Sequence, residues 1–186
     1  MARQGMPWWL GYLLISPLRR WIGGDPEDLL RPYLHAGMTV LEPGPGMGYF
    51  TLPMAAMTGP RGRIVAVDIQ PHMLAELRRR AQKAGLRQRI DTRLAQPHSM
   101  GLDDLKGKVD FVLAFAMVHE MPSAESFFAE ASDALRSRGL MLLVEPRGHV
   151  SQFRFEEEIG AARAAGLNMV TRLKIRRSRA AVLQRS

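Results

Sequence analysis

Two groups of residues in this 186-residue chain have types and spacing suited to chemistry. The first is Glu42-Pro43-Gly44-Pro45-Gly46-Met47-Gly48, three alternating glycines led by a carboxylate, with Asp68 twenty residues beyond Gly48 at the end of an apolar run. Glycines in that pattern let a backbone turn sharply and approach a ligand closely. A carboxylate at the end of the following strand can accept two hydrogen bonds from ribose hydroxyls. A dinucleotide loop of the G-x-G-x-x-G kind needs glycine where this chain has Tyr49, and a P-loop needs a Gly-Lys-Ser/Thr that is absent. A plain strand-to-helix turn accounts for neither the repeated glycines nor the two carboxylates, so the loop is read as a ligand site.

The second group is His119-Glu120 and Glu145 with His149, each following an apolar run. Two histidines and two carboxylates at neighbouring strand ends can form a base with an orienting carboxylate, or ligate a metal. They can also be structural, with Glu120 near a helix cap, Glu145 buried against an arginine and the histidines bonded to backbone. His119, His149 and Glu145 are the candidates for catalysis, and no metal is expected. In the sequence each histidine has its own nearby carboxylate, Glu120 for His119 and Glu145 for His149. His35, His72 and His98 fall before the first strand, at a helix start and in a polar loop, and are assigned no role. Met100, Met117 and Met121 read as core or pocket wall.

The elements that must position these groups alternate. Asp25-Pro26-Glu27-Asp28 has the N-cap and first-turn composition of a helix start. Strands are expected at 39–41, 63–68, 90–94, 109–114 and 140–144, with helices at 50–57, 71–83, 123–135 (ending near Gly139) and 151–165 between them. A last strand pair, 169–175 and 180–183, has no helix between its members and must form a hairpin. Alternating strands and helices imply an α/β fold, a mainly parallel, Rossmann-like sheet with helices on both faces. Ligands of such sheets bind at the carboxyl ends of the strands, where both groups lie.

The length suits one domain. With no cysteine, a disulfide scaffold, a cysteine metal site and a thiol nucleophile are all excluded, and a cytoplasmic location is the default. The net charge of +8 is concentrated at the end of the chain, where Ala161 to Ser186 holds no acidic residue. That stretch can attract phosphate, an anionic lipid surface or an acidic substrate, although a solvated face is the simpler reading. No aromatic residue follows Phe155, so a stacking platform for single-stranded nucleic acid is missing there. The apolar run Pro7 to Leu18 is too short to span a bilayer, and Arg19-Arg20-Trp21 follow it in place of a small-residue cleavage site. Residues 1–24 are read as a helical lid over the domain at 25–186. Its Trp and Arg also suit a weak contact with a membrane surface.

Val40-Leu41-Glu42-Pro43-Gly44-Pro45-Gly46-Met47-Gly48-Tyr49-Phe50-Thr51 resembles the first motif of class I methyltransferases that use S-adenosylmethionine (SAM), and Ile64 to Ile69 resembles their second. Lys108 to Ala114 and Leu135 to Val144 resemble their fourth- and fifth-strand motifs. The resemblance runs from about Ala36 to Leu183, and His119-Glu120-Met121-Pro122 with Glu145 to Val150 places it among the short, methyltransferase-domain type. It implies strand order 3-2-1-4-5-7-6 with strand 7 antiparallel. It also implies that Glu42 holds the loop and the methionine end of SAM, that Gly44, Pro45, Gly46 and Gly48 line the amino-acid moiety, and that Asp68 takes the ribose with Ile69 against the adenine. After the third strand the family often has an acidic residue near the adenine; here Gln96 stands in that stretch. Nucleobase-methylating relatives carry Asn/Asp-Pro-Pro-aromatic where this chain has Ala114-Phe115-Ala116-Met117, which argues against a nucleic-acid substrate. Phe115, Met117 and Val118 imply a small, partly apolar acceptor with an O, N or S nucleophile. A peripheral enzyme acting on a lipid or quinone, and a SAM-binding module without catalysis, are the competing readings.

Overall fold

The computed structural model describes residues 25–96 and 98–186; the expected lid at 1–24 lies outside the described residues. Asp25 caps the first helix, α1 (Pro26–Leu30), its carboxylate accepting the Glu27 N–H at 3.0 Å, with Pro26 at the first position. There follow β1 (Thr39–Pro43), α2 (Thr51–Met57), β2 (Arg63–Asp68), α3 (Pro71–Lys83), β3 (Ile90–Leu94), β4 (Val109–Phe115), α4 (Ala124–Ala134), β5 (Leu135–Pro146), α5 (Gln152–Ala164), β6 (Leu167–Leu173) and β7 (Ser178–Arg185). Among the described residues no helix is long and apolar enough to cross a membrane.

The seven strands form one sheet in the order β3-β2-β1-β4-β5-β7-β6. The first five are mutually parallel and β7 runs antiparallel to both its neighbours, as expected. Successive side chains of a strand point to opposite faces, so an uninterrupted apolar run is stable only when both faces are covered. Alternate residues accordingly feed two cores. Leu41, Val65, Val112 and Leu143 pack with Phe127 and Ala131 of α4 and with Phe155 and Ile159 of α5. Val40, Ile64, Phe111 and Leu142 pack with Leu30 of α1, Met54 of α2 and Leu77 of α3. Each fully buried side chain of this size contributes roughly 1.5–3 kcal/mol.

The α4–β5 junction differs from expectation. The helix stops at Ala134, and the strand begins at once with Leu135, well before Gly139. Leu135 is fully buried and pairs with Val109, and a register shift between Val109 and Phe111 absorbs the residues before Leu140. Ladder pairing and burial therefore override the helical tendency of Leu135 to Arg138. At Gly139 the backbone is too close for a side chain, since a Cβ would sit 2.9 Å from the Arg136 carbonyl oxygen. The last hairpin is also longer than expected at both ends, starting at Leu167 and reaching Arg185.

The loop after β1 depends on two glycines in different ways. Gly48 has φ +91°, and a Cβ there would meet Leu77 Cδ1 of α3 at 2.5 Å. Gly46 has φ +54°, with nothing within 4 Å of its would-be Cβ. Gly46→Ala should therefore cost only backbone strain, about 1–3 kcal/mol, whereas Gly48→Ala should cost that and the displacement of Leu77 from the core. Urea denaturation of the two variants checks the difference, and equal losses would remove the Leu77 contact from the argument.

Candidate active site

The carboxyl edge of β1 and β2 is held by its own polar groups. Glu42 is buried, and the Thr51 hydroxyl at the start of α2 donates to its Oε2 at 2.5 Å, tying strand to helix across the glycine loop. The Gly44 N–H donates to the Val67 carbonyl at 2.9 Å, which pins the loop to β2. Asp68 closes β2. Its Oδ1 accepts the Gln70 N–H at 2.9 Å, and the Gly46 and Ile69 N–H groups also bond to the carboxylate. Burial raises the Asp68 carboxyl above its usual range, and these N–H donors oppose the rise.

Beside Asp68 the surface turns apolar. Ile69 is 57% exposed and Leu94, paired with Asp68 at the end of the β2–β3 ladder, 53%. Exposed Gly44 and half-buried Gly46 leave bare backbone on the other side. Bare backbone, a carboxylate and an exposed apolar pair in succession fit an amino-acid end, a ribose and an adenine. Pro45 is buried under the loop and Gly48 packs on α3, so both shape the loop from beneath. Gln96 lies just past β3 with an exposed side chain, its backbone bridged to Ser99.

The second group assembles at the ends of β4 and β5. Glu145, the penultimate residue of β5, is fully buried. Its Oε1 accepts the Val118 N–H at 2.9 Å and the Met117 N–H at 3.3 Å, while its Oε2 pairs with His119 Nδ1. An ionised carboxylate only accepts, so Nδ1 carries the hydrogen and Nε2 is the atom left to act. The carboxylate raises the His119 imidazole above its ordinary value, with burial opposing. This corrects the pairing expected from chain proximity. Glu145 orients His119, the histidine on the adjacent strand end, because parallel strands bring their carboxyl ends together whatever the distance along the chain. Glu120 is exposed, with Oε1 3.9 Å from His119 Nε2. His149 is exposed and its ring centroid lies 5.4 Å from that of His119. Arg179 stands opposite Glu145 in the β5–β7 ladder, but among the described residues no ion pair joins them. Of the expected walls, Phe115 is half-buried against Phe50, ring centroids 4.5 Å apart, and Met117 packs below Gly44. Among the described residues no three His, Asp or Glu side chains are grouped to hold a metal ion.

Three features were missed in the sequence. Thr51 stands inside the glycine motif without an assigned role. Ala116, directly after β4, has φ +55° and donates its N–H to the Val144 carbonyl at 2.7 Å; nothing in its residue type announces this strained conformation. Glu158 lies on α5, is 4% exposed and has no hydrogen-bond partner at either oxygen. Burial, and after it the nearby Glu145 carboxylate, push it up to about 7, with Arg154 and His119 opposing. Its signal was present, since Phe155, Glu158, Ile159 and Ala162 share the buried stripe of the helix.

Known proteins share this fold. The family model described as a methyltransferase domain matches residues 34–173. A protein-L-isoaspartate O-methyltransferase of wheat (Triticum aestivum) is 43% identical over 47 residues, which span 25% of this chain and only 20% of the wheat protein. A SAM-dependent methyltransferase from Aquifex aeolicus is similar in structure with a TM-score of 0.85 at 21% identity, over 97% of this chain and 100% of that one. A Methanococcus maripaludis protein described as an S-adenosyl-L-methionine-dependent methyltransferase gives 0.81 at 14% identity, over 100% of this chain and 97% of that one. At such identities the structures speak for the fold alone, and the family match over most of the chain speaks for the rest. The chain belongs to the methyltransferase-domain family and is a SAM-dependent methyltransferase.

Proposed function

We propose that the protein methylates a small molecule at an oxygen, nitrogen or sulfur atom, with the acceptor seated beside His119 at the carboxyl edge of β4 and β5. The observation that carries this reading is the His119–Glu145 pair. A fully buried carboxylate, fixed by two backbone N–H groups, aims an imidazole at the edge where such sheets bind their ligands. Glu42, the glycine loop, Asp68 and Ile69 hold the cofactor, and Gln96 is within the same edge. When bound, SAM supplies an electrophilic methyl group. His119 Nε2 would take the proton of a hydroxyl or thiol as that atom gains the methyl and the methyl–sulfonium bond breaks to leave a neutral thioether, and Glu145 keeps the ring in the required tautomer. Phe115 supplies an apolar wall, and His149 flanks the acceptor. The name of the wheat relative supports oxygen as one acceptor atom. Methyl transfer from radiolabelled SAM to a panel of hydroxyl, carboxyl, amine and thiol acids tests the reading; a protein that binds SAM yet methylates no member speaks against it.

Asp68→Ala should lose charge-assisted hydrogen bonds to the ribose, each worth about 1.5–3 kcal/mol, and so weaken SAM binding by roughly ten-fold or more. Calorimetry reads this directly, and an unchanged affinity would remove Asp68 from the cofactor site.

His119→Ala should leave SAM affinity near wild type and lower turnover of a hydroxyl or thiol acceptor by roughly 100- to 10,000-fold. The base must be neutral to act, and Glu145 raises the imidazole above its ordinary 6.5. Activity should therefore fall as pH drops through a midpoint above 6.5, which the pH profile of kcat/KM measures.

Glu158 gives a stability test. A carboxyl raised from 4.5 to about 7 in the folded state costs stability as pH rises past 4.5, and the full cost is in place above about 7. Glu158→Gln should therefore be near neutral at pH 4 and should stabilise by up to ~3 kcal/mol at pH 8.5. Urea melts at the two pH values check it; equal effects at both would show that the fold does not raise the Glu158 carboxyl.

A further inference from the structure

A second concavity opens one residue beyond the end of β5, between the start of α5 and the β6–β7 hairpin. Its volume is about 450 Å³, and its polar lining is Arg147, Gln152, Glu156, Arg172, Ser178 and Arg179. Three guanidinium groups thus face a single carboxylate. That carboxylate is already engaged, since Glu156 pairs with Arg172 at 2.6 Å and accepts from Gln152 Nε2. Among the described residues Arg147 and Arg179 have no acidic partner. Arg147 is set in place by its Nε, which donates to the Ser178 carbonyl at 3.0 Å; among the described residues its terminal nitrogens have no hydrogen-bond acceptor. Arg179 is held more deeply, and its Nε is buried with no hydrogen-bond partner. A buried, unpartnered guanidinium donor is costly, and an oxyanion with the bidentate geometry of a carboxylate or phosphate answers it. Gln152 is the first residue of the 13-residue helix α5, so the positive end of the helix dipole adds to the same field.

The place of this concavity matters. Arg179 stands directly opposite Glu145 in the β5–β7 ladder, and directly paired residues of an antiparallel ladder project from the same face. The floor of the basic concavity is therefore next to the carboxylate that orients His119. Arg154, also on α5, reaches the His119 carbonyl with its Nη2 at 3.4 Å. We propose that this concavity is an oxyanion site that holds the acidic end, carboxylate or phosphate, of the methyl acceptor while its nucleophile faces His119. The role in acceptor binding rests on the functional reading above; the binding of an oxyanion does not.

The test has two arms. In the first, the ¹⁵N-labelled full chain is titrated with inorganic phosphate at neutral pH, without SAM, and followed by amide shifts. Saturable shifts should centre on Arg147, Gln152, Ser178 and Arg179. Arg179→Gln and Arg147→Gln should each weaken binding roughly ten-fold or more, whereas Arg31→Gln, just after α1, should change nothing. Retained spectra elsewhere and unchanged SAM calorimetry show that the variants fold. In the second arm, acidic acceptors are compared with their neutral amides or esters in the methyl-transfer assay. Acids should be preferred, and Arg147→Gln should raise their KM about ten-fold with little change in kcat. Phosphate shifts that do not saturate, or that survive in Arg179→Gln, overturn the site. Preference for the neutral acceptors overturns its role in acceptor binding. Loss of SAM binding in the wild type would instead overturn the functional reading, because the phosphate arm uses no cofactor.

Discussion

A parallel strand buried on both faces has only one place for polar chemistry, its end. This constraint organises the molecule. The middles of β1, β2, β4 and β5 are apolar on both sides because helices cover both sides, and a carboxylate within them would have neither water nor a partner. Glu42, Asp68 and Glu145 each occupy the last or next-to-last position of their strand. There the ladder runs out and backbone N–H groups of the following loop become free to donate. The site is thus built from the residues that the core cannot accept, at the one edge where the loops can satisfy them.

The buried carboxyls differ in how they are satisfied, and the differences assign their work. Glu42 is answered by a hydroxyl and acts as a clamp on the loop. Asp68 is answered by backbone N–H groups at an edge that a ligand can reach. Glu145 is answered by two N–H groups at one oxygen and an imidazole at the other, which ties it to the orientation of that ring. Glu158, with no answering group, is pushed toward the neutral form. Burial and the Glu145 carboxylate act on Glu158 in the same direction, disfavouring a second negative charge behind the His119 pair.

The strand order and the two candidate edges were legible because they follow from short-range patterns. Apolar runs of strand length, glycines at alternating positions and a carboxylate at a strand end all lie within a few residues of one another. What was not legible depends on neighbours far along the chain. Glu145 was matched to His149, four residues away, and its partner is His119, twenty-six residues away on the adjacent strand. The helix before β5 was drawn too long because Leu135 to Arg138 carries no local stop signal, and only pairing with Val109 makes Leu135 extended. The concentration of arginines near the end of the chain was visible as composition. Its division into solvated residues and the pair Arg172 and Arg179, which meet Arg147 in one concavity, required the fold of the hairpin.

The placement of β7 between β5 and β6 has a kinetic consequence. As the chain is made, β6 is complete before β7 exists, yet the strand it pairs with in the sheet is β7. During that interval the edge of β5, with Leu140-Met141-Leu142-Leu143-Val144, stands open and apolar, which is the form of edge most prone to pairing with another molecule. Closure also joins residues separated by more than thirty positions, a slow contact to form. Arrival of the last strand therefore ends the nascent chain's exposure to aggregation, and the same event sets Arg179 opposite Glu145. Solubility and completion of the site are, in this topology, reached in one step.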